Sequence, residues 1–177
     1  MTPEEDLAAR IAAGRTHRVA GELDAAVEAF TAAAAAFPAA ARPLLERGAV
    51  RILQGRPADA LADHEAARRL EPDAPGLESC LAEDLLFLGR GHEALAAARR
   101  GQRAEPDALM HRVNLAHALL LLGRSGLAEH EYAALRDVAH PTKGLSGGEI
   151  ALEDLRALRA AGVVGGPDAD AVEALLR

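Results

Sequence analysis

The chain has 177 residues, a net charge of −7 and a composition that is 50% hydrophobic and 27% charged. This balance is typical of a globular protein and excludes a disordered chain, while the acidic charge argues against non-specific binding to nucleic acid. A single cysteine, Cys80, excludes an intramolecular disulfide, and the longest apolar run, Ala32–Phe37, is far too short to cross a membrane.

The first residues carry the signals of a helix start. Thr2 precedes Pro3 and lies three residues before Glu5, which is the pattern of a capping box with a proline in the first turn. The same segment is acidic where a secretion signal would be basic, so we expect a cytoplasmic protein.

Several rows of residues then recur every 34 positions. The first row contains the glycines Gly21, Gly55, Gly89 and Gly123. Five residues after each glycine stand the alanines Ala26, Ala60, Ala94 and Ala128. Seven residues before each glycine stand the small residues Gly14, Gly48, Ala82 and Ala116. A last row contains Pro38, Pro72 and Pro106, with His140–Pro141 in the fourth place.

Each row has a physical meaning in a helix–turn–helix unit. The glycine ends the first helix, because a left-handed cap is accessible at low cost only to glycine. The alanine and the small residue allow the two helices to approach closely. The proline ends the second helix, since it has no backbone N–H to continue it. Asp73 and Asp107 follow two of these prolines and are predicted N-caps of the next helices.

A 34-residue helix pair with these landmarks resembles the tetratricopeptide repeat (TPR). The resemblance covers residues 1–142, in units of about 7–40, 41–74, 75–108 and 109–142. It implies an all-α fold, a right-handed α-solenoid of four TPR-like helix pairs. The chain departs from the family pattern in its second-helix aromatic row, which contains Phe30 and Tyr132 with His64 and Ala98 between them.

Residues 143–177 are predicted to form a degenerate fifth helix pair. The run Gly166–Leu175 echoes Gly21–Phe30, after an insertion of nine residues in the segment His140–Gly148. We expect helices over about 147–161 and from about residue 168 to the end. The last face of a solenoid needs a polar cap, and this C-terminal pair is predicted to supply it, the alternative being that it docks a partner.

One short motif in this tail has a misleading resemblance. Leu145-Ser-Gly-Gly-Glu149 is similar to the signature sequence of ATP-binding-cassette ATPases. No phosphate-binding glycine-rich loop with Lys-Ser/Thr occurs in the sequence, so we interpret the motif as a helix start. Ser146 and Glu149 have the spacing of a second capping box.

The sequence predicts no catalysis, metal site or cofactor. No two of the seven histidines have the three- or four-residue helical spacing that places two imidazoles on one metal. Cys80 has no evident base beside it and is interpreted as a small packing residue. We therefore expect a protein that is not an enzyme.

The family resemblance implies that the first helices of the pairs line a concave groove. The residues predicted to bind a partner there are Arg15, Arg42, Leu45, Glu46, Ser79, Glu83, Met110, Val113, Asn114 and His117. Chaperone-binding members of the family would need Lys and Asn where Ile11 and Arg15 stand, so no chaperone C-terminus is expected. The alternative is that Arg15, Glu46 and Glu83 form ion pairs between neighbouring helices.

The predicted function is that of a protein–protein interaction scaffold or adaptor. It would dock a segment of another protein in the groove, without nucleic acid or membrane as partner. Two alternatives stay open at this stage. In the first, the chain is a sensor of a peptide ligand. In the second, it is a homo-oligomerisation module that forms a homodimer through the Ala-rich helix 25–36 or through the tail.

Overall fold

The computed structural model describes residues 2–140 and 144–177. This part of the chain contains ten α-helices and one isolated antiparallel bridge, between Ala139 and Ser146. In chain order the helices are α1 (Pro3–Val19), α2 (Leu23–Ala36), α3 (Arg42–Leu53), α4 (Pro57–Leu70), α5 (Leu77–Phe87), α6 (Gly91–Ala104), α7 (Leu109–Leu121), α8 (Ser125–Leu135), α9 (Gly147–Ala160) and α10 (Gly166–Leu176). The fold is an α-solenoid of helix pairs, as predicted.

The chain divides into two compact units, Met1–Cys80 (unit 1) and Leu81–Arg177 (unit 2), and the division falls within α5. In unit 1, α1 packs on α2, α2 on α3, and α3 on α4, while α1 also touches α3. In unit 2, α7 packs on α6 and α8, and the C-terminal helices α9 and α10 pack on each other and on α8.

The predicted turn glycines all adopt the left-handed conformation that other residues avoid. Their φ angles are between 67° and 77° at Gly21, Gly55, Gly89 and Gly123. The alanine row is fully buried at all four positions. Both predictions are confirmed, so the 34-residue spacing marks real helix boundaries.

The small residues in α1 and α3 leave room for a ring from the helix that follows each of them. A Cβ placed on Gly14 would lie 2.5 Å from the ring of Phe30, and one on Gly48 would lie 2.3 Å from the ring of His64. The closest partner of the small residue is therefore the aromatic row and not the alanine row. In unit 1 the same ring of Phe30 joins a core cluster with Ile11, Ala26 and Val50.

The buried carboxylate of Asp63 in α4 forms ion pairs with α3. Arg47 donates through Nε to Asp63 at 2.9 Å, and Arg51 Nη1 lies 2.9 Å from the same carboxylate. Arg47 also donates to the Thr31 hydroxyl of α2 at 3.0 Å. Two cations compensate the burial of this one anion, as a charge inside a protein requires.

The helix ends agree with the proline row, but two predicted N-caps are wrong. The helices α2, α4 and α6 end two residues before Pro38, Pro72 and Pro106, whereas Pro141 lies outside the described residues. The N-cap of α7 is Ala108 and makes no side-chain bond, so Asp107 stands one residue too early. Asp73 lies four residues before the first residue of α5 and is likewise too early.

The C-terminal helices begin where the glycine-rich motif predicts a helix start. Ser146 and Glu149 form the predicted capping box, as do Thr2 and Glu5 at the start of α1. A Cβ on Gly147 would lie 2.7 Å from the carbonyl oxygen of Leu135, so the motif's glycines serve close packing on the end of α8. The inward leucines Leu155 and Leu158 of α9 are buried.

The close approach at Gly14 generates a first prediction. We expect Gly14→Ala to lower the free energy of unfolding by about 1–3 kcal/mol, because the methyl group must displace the Phe30 ring from a packed core. Urea unfolding followed by circular dichroism measures this change.

The matched control is Gly126→Ala in α8, where an added Cβ meets nothing within 4 Å. There the better helix propensity of alanine should leave stability unchanged or raise it by up to about 0.5 kcal/mol. Equal destabilisation by both substitutions would contradict a specific ring contact at Gly14.

Candidate functional site

The first helices of unit 1 share an outward face, here called the α1/α3 face. On α1, Ala8, Ala12, Arg15 and Val19 follow one another at i, i+4, i+7 and i+11, which places them along one side of a helix. On α3 the same spacing aligns Arg42, Glu46, Ala49 and Leu53. Because α1 touches α3 directly, the two rows form one surface.

Glu46 is the centre of this face. Its Oε1 accepts from Arg15 Nε at 3.0 Å and from Arg42 Nε at 2.9 Å, and its Oε2 accepts from Arg18 Nη1 at 3.2 Å. The residue is only 6% exposed, while the three arginines are partly exposed. The ion pair between Arg15 and Glu46 that the sequence left as an alternative is thus present between α1 and α3.

The charge state of Glu46 follows from its surroundings. Burial acts to raise the pKa of Glu46, but the hydrogen bond from Arg15 and the charges of Arg15, Arg42 and Arg18 outweigh burial. The pKa of Glu46 therefore lies below its ordinary value. In turn, the hydrogen bond to Glu46 raises the pKa of Arg15, so both groups are ionised at neutral pH.

Three guanidinium groups around one carboxylate leave a local surplus of two positive charges. Among the described residues that line an open cavity beside these arginines, the acidic one is Glu4, which lies one helical turn before Ala8 and far along α1 from Arg15. The carboxylate of Glu46 is already saturated with arginines, and the accessible charge of the α1/α3 face is positive.

An open cavity of about 520 Å³ adjoins the arginines. Its walls are mostly aliphatic and come from Leu7, Ala8, Ile11 and Ala12 of α1, and its charged residues are Glu4, Arg15 and Arg42. The site therefore combines an apolar recess with cations at one edge, which is an arrangement that suits an amphipathic ligand.

Two exposed apolar residues lie on this face beyond the arginines. Val19 is 85% exposed and Leu53 is 60% exposed, and each stands two residues before a turn glycine. Sequence reasoning missed both of them and Arg18, because it followed each first helix only to the sixth residue before the turn. Continuing the helical period by one turn from Ala12 and Arg15 reaches Val19 and would have found it.

The remaining predicted site residues have different surroundings. Leu45 and Ser79 of unit 1 are half-buried, and the Leu45 carbonyl accepts from His64 at 3.2 Å. In unit 2, Glu83 and Met110 are half-buried. Val113, Asn114 and His117 are buried, because the face of α7 that carries them lies within the packed core of unit 2, where α9 covers α7. A partner has no access to these three side chains in this structure.

His117 takes part in a buried polar contact. Its Nδ1 lies 2.6 Å from the Tyr132 hydroxyl, and its Nε2 lies 4.0 Å from the Asp154 carboxylate of α9. Burial lowers the pKa of His117 to about 3, so the ring is neutral at physiological pH. Burial, with the charge of Asp154, raises the pKa of Tyr132, so the hydroxyl stays protonated at neutral pH.

Residues 2–140 and 144–177 contain no group of three or more His, Cys, Asp or Glu residues placed to hold a metal ion. None of the helices in the same ranges combines the length and apolar character that crossing a membrane requires.

Comparison with known proteins shows likeness at the level of fold. No family model matches the sequence, and no curated protein matches it. Among solved structures, MamA aligns with a TM-score of 0.63 at 15% identity, over 98% of this chain and 87% of that one. A thermophilic TPR protein of Thermus thermophilus gives 0.66 at 18% identity, over 88% and 87%.

A third similar structure is YrrB, described as a TPR protein with an unusual peptide-binding site. It aligns with a TM-score of 0.62 at 17% identity, over 98% of this chain and 86% of that one. The chain therefore has the tetratricopeptide-repeat fold that its 34-residue rows predict.

The charge cluster generates a second prediction. Glu46→Gln keeps the shape of the side chain but leaves three arginines without their carboxylate. We expect a loss of about 1–2 kcal/mol at pH 7, a modest figure because the arginines are partly solvated. Urea unfolding at several pH values measures the loss, and the exposed Glu93→Gln is the control that should change little.

The sign of the pH dependence follows from the lowered pKa of Glu46. As the pH falls below 4.5, the ordinary value, the unfolded chain takes up the proton before the folded chain does. The stability from Glu46 is therefore complete above pH 4.5 and is lost as the pH falls through the folded-state pKa. A difference between wild type and Glu46→Gln that stays constant down to acid pH would refute this role.

A third prediction tests the buried pair in unit 2. Tyr132→Phe removes the hydroxyl that hydrogen-bonds Nδ1 of His117, whose Nε2 already has no hydrogen-bond partner among the described residues. We expect a loss of about 1–3 kcal/mol, the cost of a buried polar atom left unsatisfied. The control Ser125→Ala removes a hydroxyl that bonds Asp168 at an exposed site, where water can replace the bond, and should cost about 0.5 kcal/mol. If both variants lost the same free energy of unfolding in urea, the Tyr132 hydroxyl would contribute no special stability to the core.

Proposed function

We propose that this chain, which has the tetratricopeptide-repeat fold, is a protein-interaction scaffold that docks a segment of a partner protein on the α1/α3 face. The observation that carries the proposal is the combination of an open apolar cavity, partly exposed arginines and exposed apolar side chains on one surface. Exposed apolar residues grouped beside charged ones mark interaction surfaces more often than isolated ones do.

The rigidity of this face supports the same proposal. Arg15, Arg18 and Arg42 are held by one carboxylate, so their guanidinium groups are partly ordered before a partner arrives. Binding to such a surface loses less side-chain entropy than binding to free arginines would. A peptide-binding site is also named for YrrB, a protein of the same fold.

The experiment that tests this proposal is site-specific photo-crosslinking in an extract of the source cells. A benzophenone side chain replaces Ala12, which is exposed on the α1/α3 face where it lines the cavity. The matched control carries the same group at Glu28, an exposed position of α2. We expect a protein adduct from position 12 that is absent from position 28, identified by mass spectrometry.

The other outcomes distinguish the alternatives. An adduct from position 28 alone would move the interface to the surface of α2. An adduct between two copies of this chain would favour a homo-oligomerisation module. Absence of any adduct from both positions, with the label shown to be reactive, would overturn the proposal of a docking face.

A further inference from the structure

The α1/α3 face has three zones in a fixed order. The first zone is the aliphatic cavity of Leu7, Ala8, Ile11 and Ala12. The second zone contains the arginines around Glu46, and the third contains the exposed side chains of Val19 and Leu53. An apolar zone thus stands on each side of a cationic zone.

We propose that the partner segment recognised here is a short acidic stretch between two apolar anchors. This inference rests on the proposed docking function and adds the chemistry of the occupant. The surplus positive charge around the saturated Glu46 selects carboxylates, and like charges would be repelled. The two apolar zones select one aliphatic side chain at each end, because both zones lose exposed apolar area when covered.

The length of the face sets the spacing of the anchors. Ala8 and Val19 are eleven residues apart on α1, which corresponds to about 16 Å at 1.5 Å per residue. An extended peptide rises about 3.3 Å per residue and points every second side chain to the same side, so two anchors on one side stand an even number of positions apart. Six positions is the smallest even separation that covers this length. The acidic side chains stand between them, opposite Arg15, Arg18 and Arg42. Side-chain carboxylates are sufficient for this recognition, so a free carboxyl terminus is not required.

A small amphipathic acid is the rival occupant, because the cavity and the arginines alone would hold an aliphatic chain and one carboxylate. The peptide is favoured because such an acid leaves Val19 and Leu53 uncovered. These two residues are among the most exposed large hydrophobic side chains of the described chain, and they lie in line with the cavity on the same helix faces. A ligand that covers them must extend past the arginines.

The test uses a capped heptapeptide, acetyl-Leu-Ser-Asp-Ser-Glu-Ser-Leu-amide, whose blocked ends exclude recognition of a terminus. Its basic twin contains Arg and Lys in place of Asp and Glu. Each peptide is titrated into the full chain labelled at its methyl groups, and binding is followed by NMR. We expect saturable shifts at Ile11, Val19 and Leu53 with the acidic peptide, and affinity at least about tenfold weaker for the twin.

Two sets of variants locate the recognition. Arg18→Gln with Arg42→Gln leaves Arg15 to pair with Glu46, and we expect about tenfold weaker binding of the acidic peptide. Its control, Arg10→Gln with Arg69→Gln, makes the same change of net charge away from this face and should bind as wild type does. Val19→Ser with Leu53→Ser alters only exposed side chains, so the fold is retained, and should weaken binding about tenfold.

The outcomes separate this inference from the proposed function. No saturable shift with the acidic peptide at about 1 mM, or equal binding of the basic twin, overturns the acidic anchor pattern. Octanoate that binds as tightly as the peptide, unaffected by Val19→Ser with Leu53→Ser, would assign the cavity to a small acid instead. A protein adduct from position 12 beside a negative peptide result would retain docking and refute only its stated chemistry.

Discussion

In each helix pair of unit 1, the first helix has one position that leaves no room for a side chain. A ring from the second helix occupies the place of a Cβ at Gly14 and at Gly48, which brings the two backbones closer than an alanine would permit. The turn glycines, with their positive φ angles, lead the chain directly back onto the same helix. Once the inner side of α1 is fixed against α2 in this way, the helical period determines which residues face outward. The row from Ala8 to Val19 is exposed as a consequence of the contact between Gly14 and Phe30.

The Glu46 cluster connects the stability of unit 1 with the surface that it presents. A single buried carboxylate would cost free energy, and each of the three arginines lowers that cost by hydrogen bonding or charge. The same arginines extend to the solvent and provide the accessible charge of the α1/α3 face. The carboxylate is thus unavailable to a ligand, although it lies at the centre of the site. Glu46 instead orders the three arginines, and their surplus positive charge decides which ligand is attracted.

The sequence predicted the fold in more detail than the site. Glycine and alanine at 34-residue spacing report backbone conformation and close packing, and both are local properties that a residue type can reveal. The capping boxes at Thr2 and Ser146 are local in the same sense. The N-caps at Asp73 and Asp107 failed because proline position does not set the first residue of the next helix. The positive charge of the α1/α3 face could not be derived from charges counted along the chain, since it depends on which cations surround Glu46.

The same repeat position holds a charged side chain in unit 1 and a neutral one in unit 2. Arg15 and His117 each stand six residues before a turn glycine, and each has a carboxylate nearby on another first helix of its own unit. Arg15 keeps its charge, because it is partly solvated and bonds an ionised Glu46. His117 is neutral, because burial removes the water that would stabilise an imidazolium and Tyr132 satisfies its Nδ1. The same repeat position is thus partly exposed in unit 1 and lies in the packed core of unit 2. A repeat pattern specifies where a side chain projects from its helix, while the neighbouring helix decides whether that side chain meets solvent or the core.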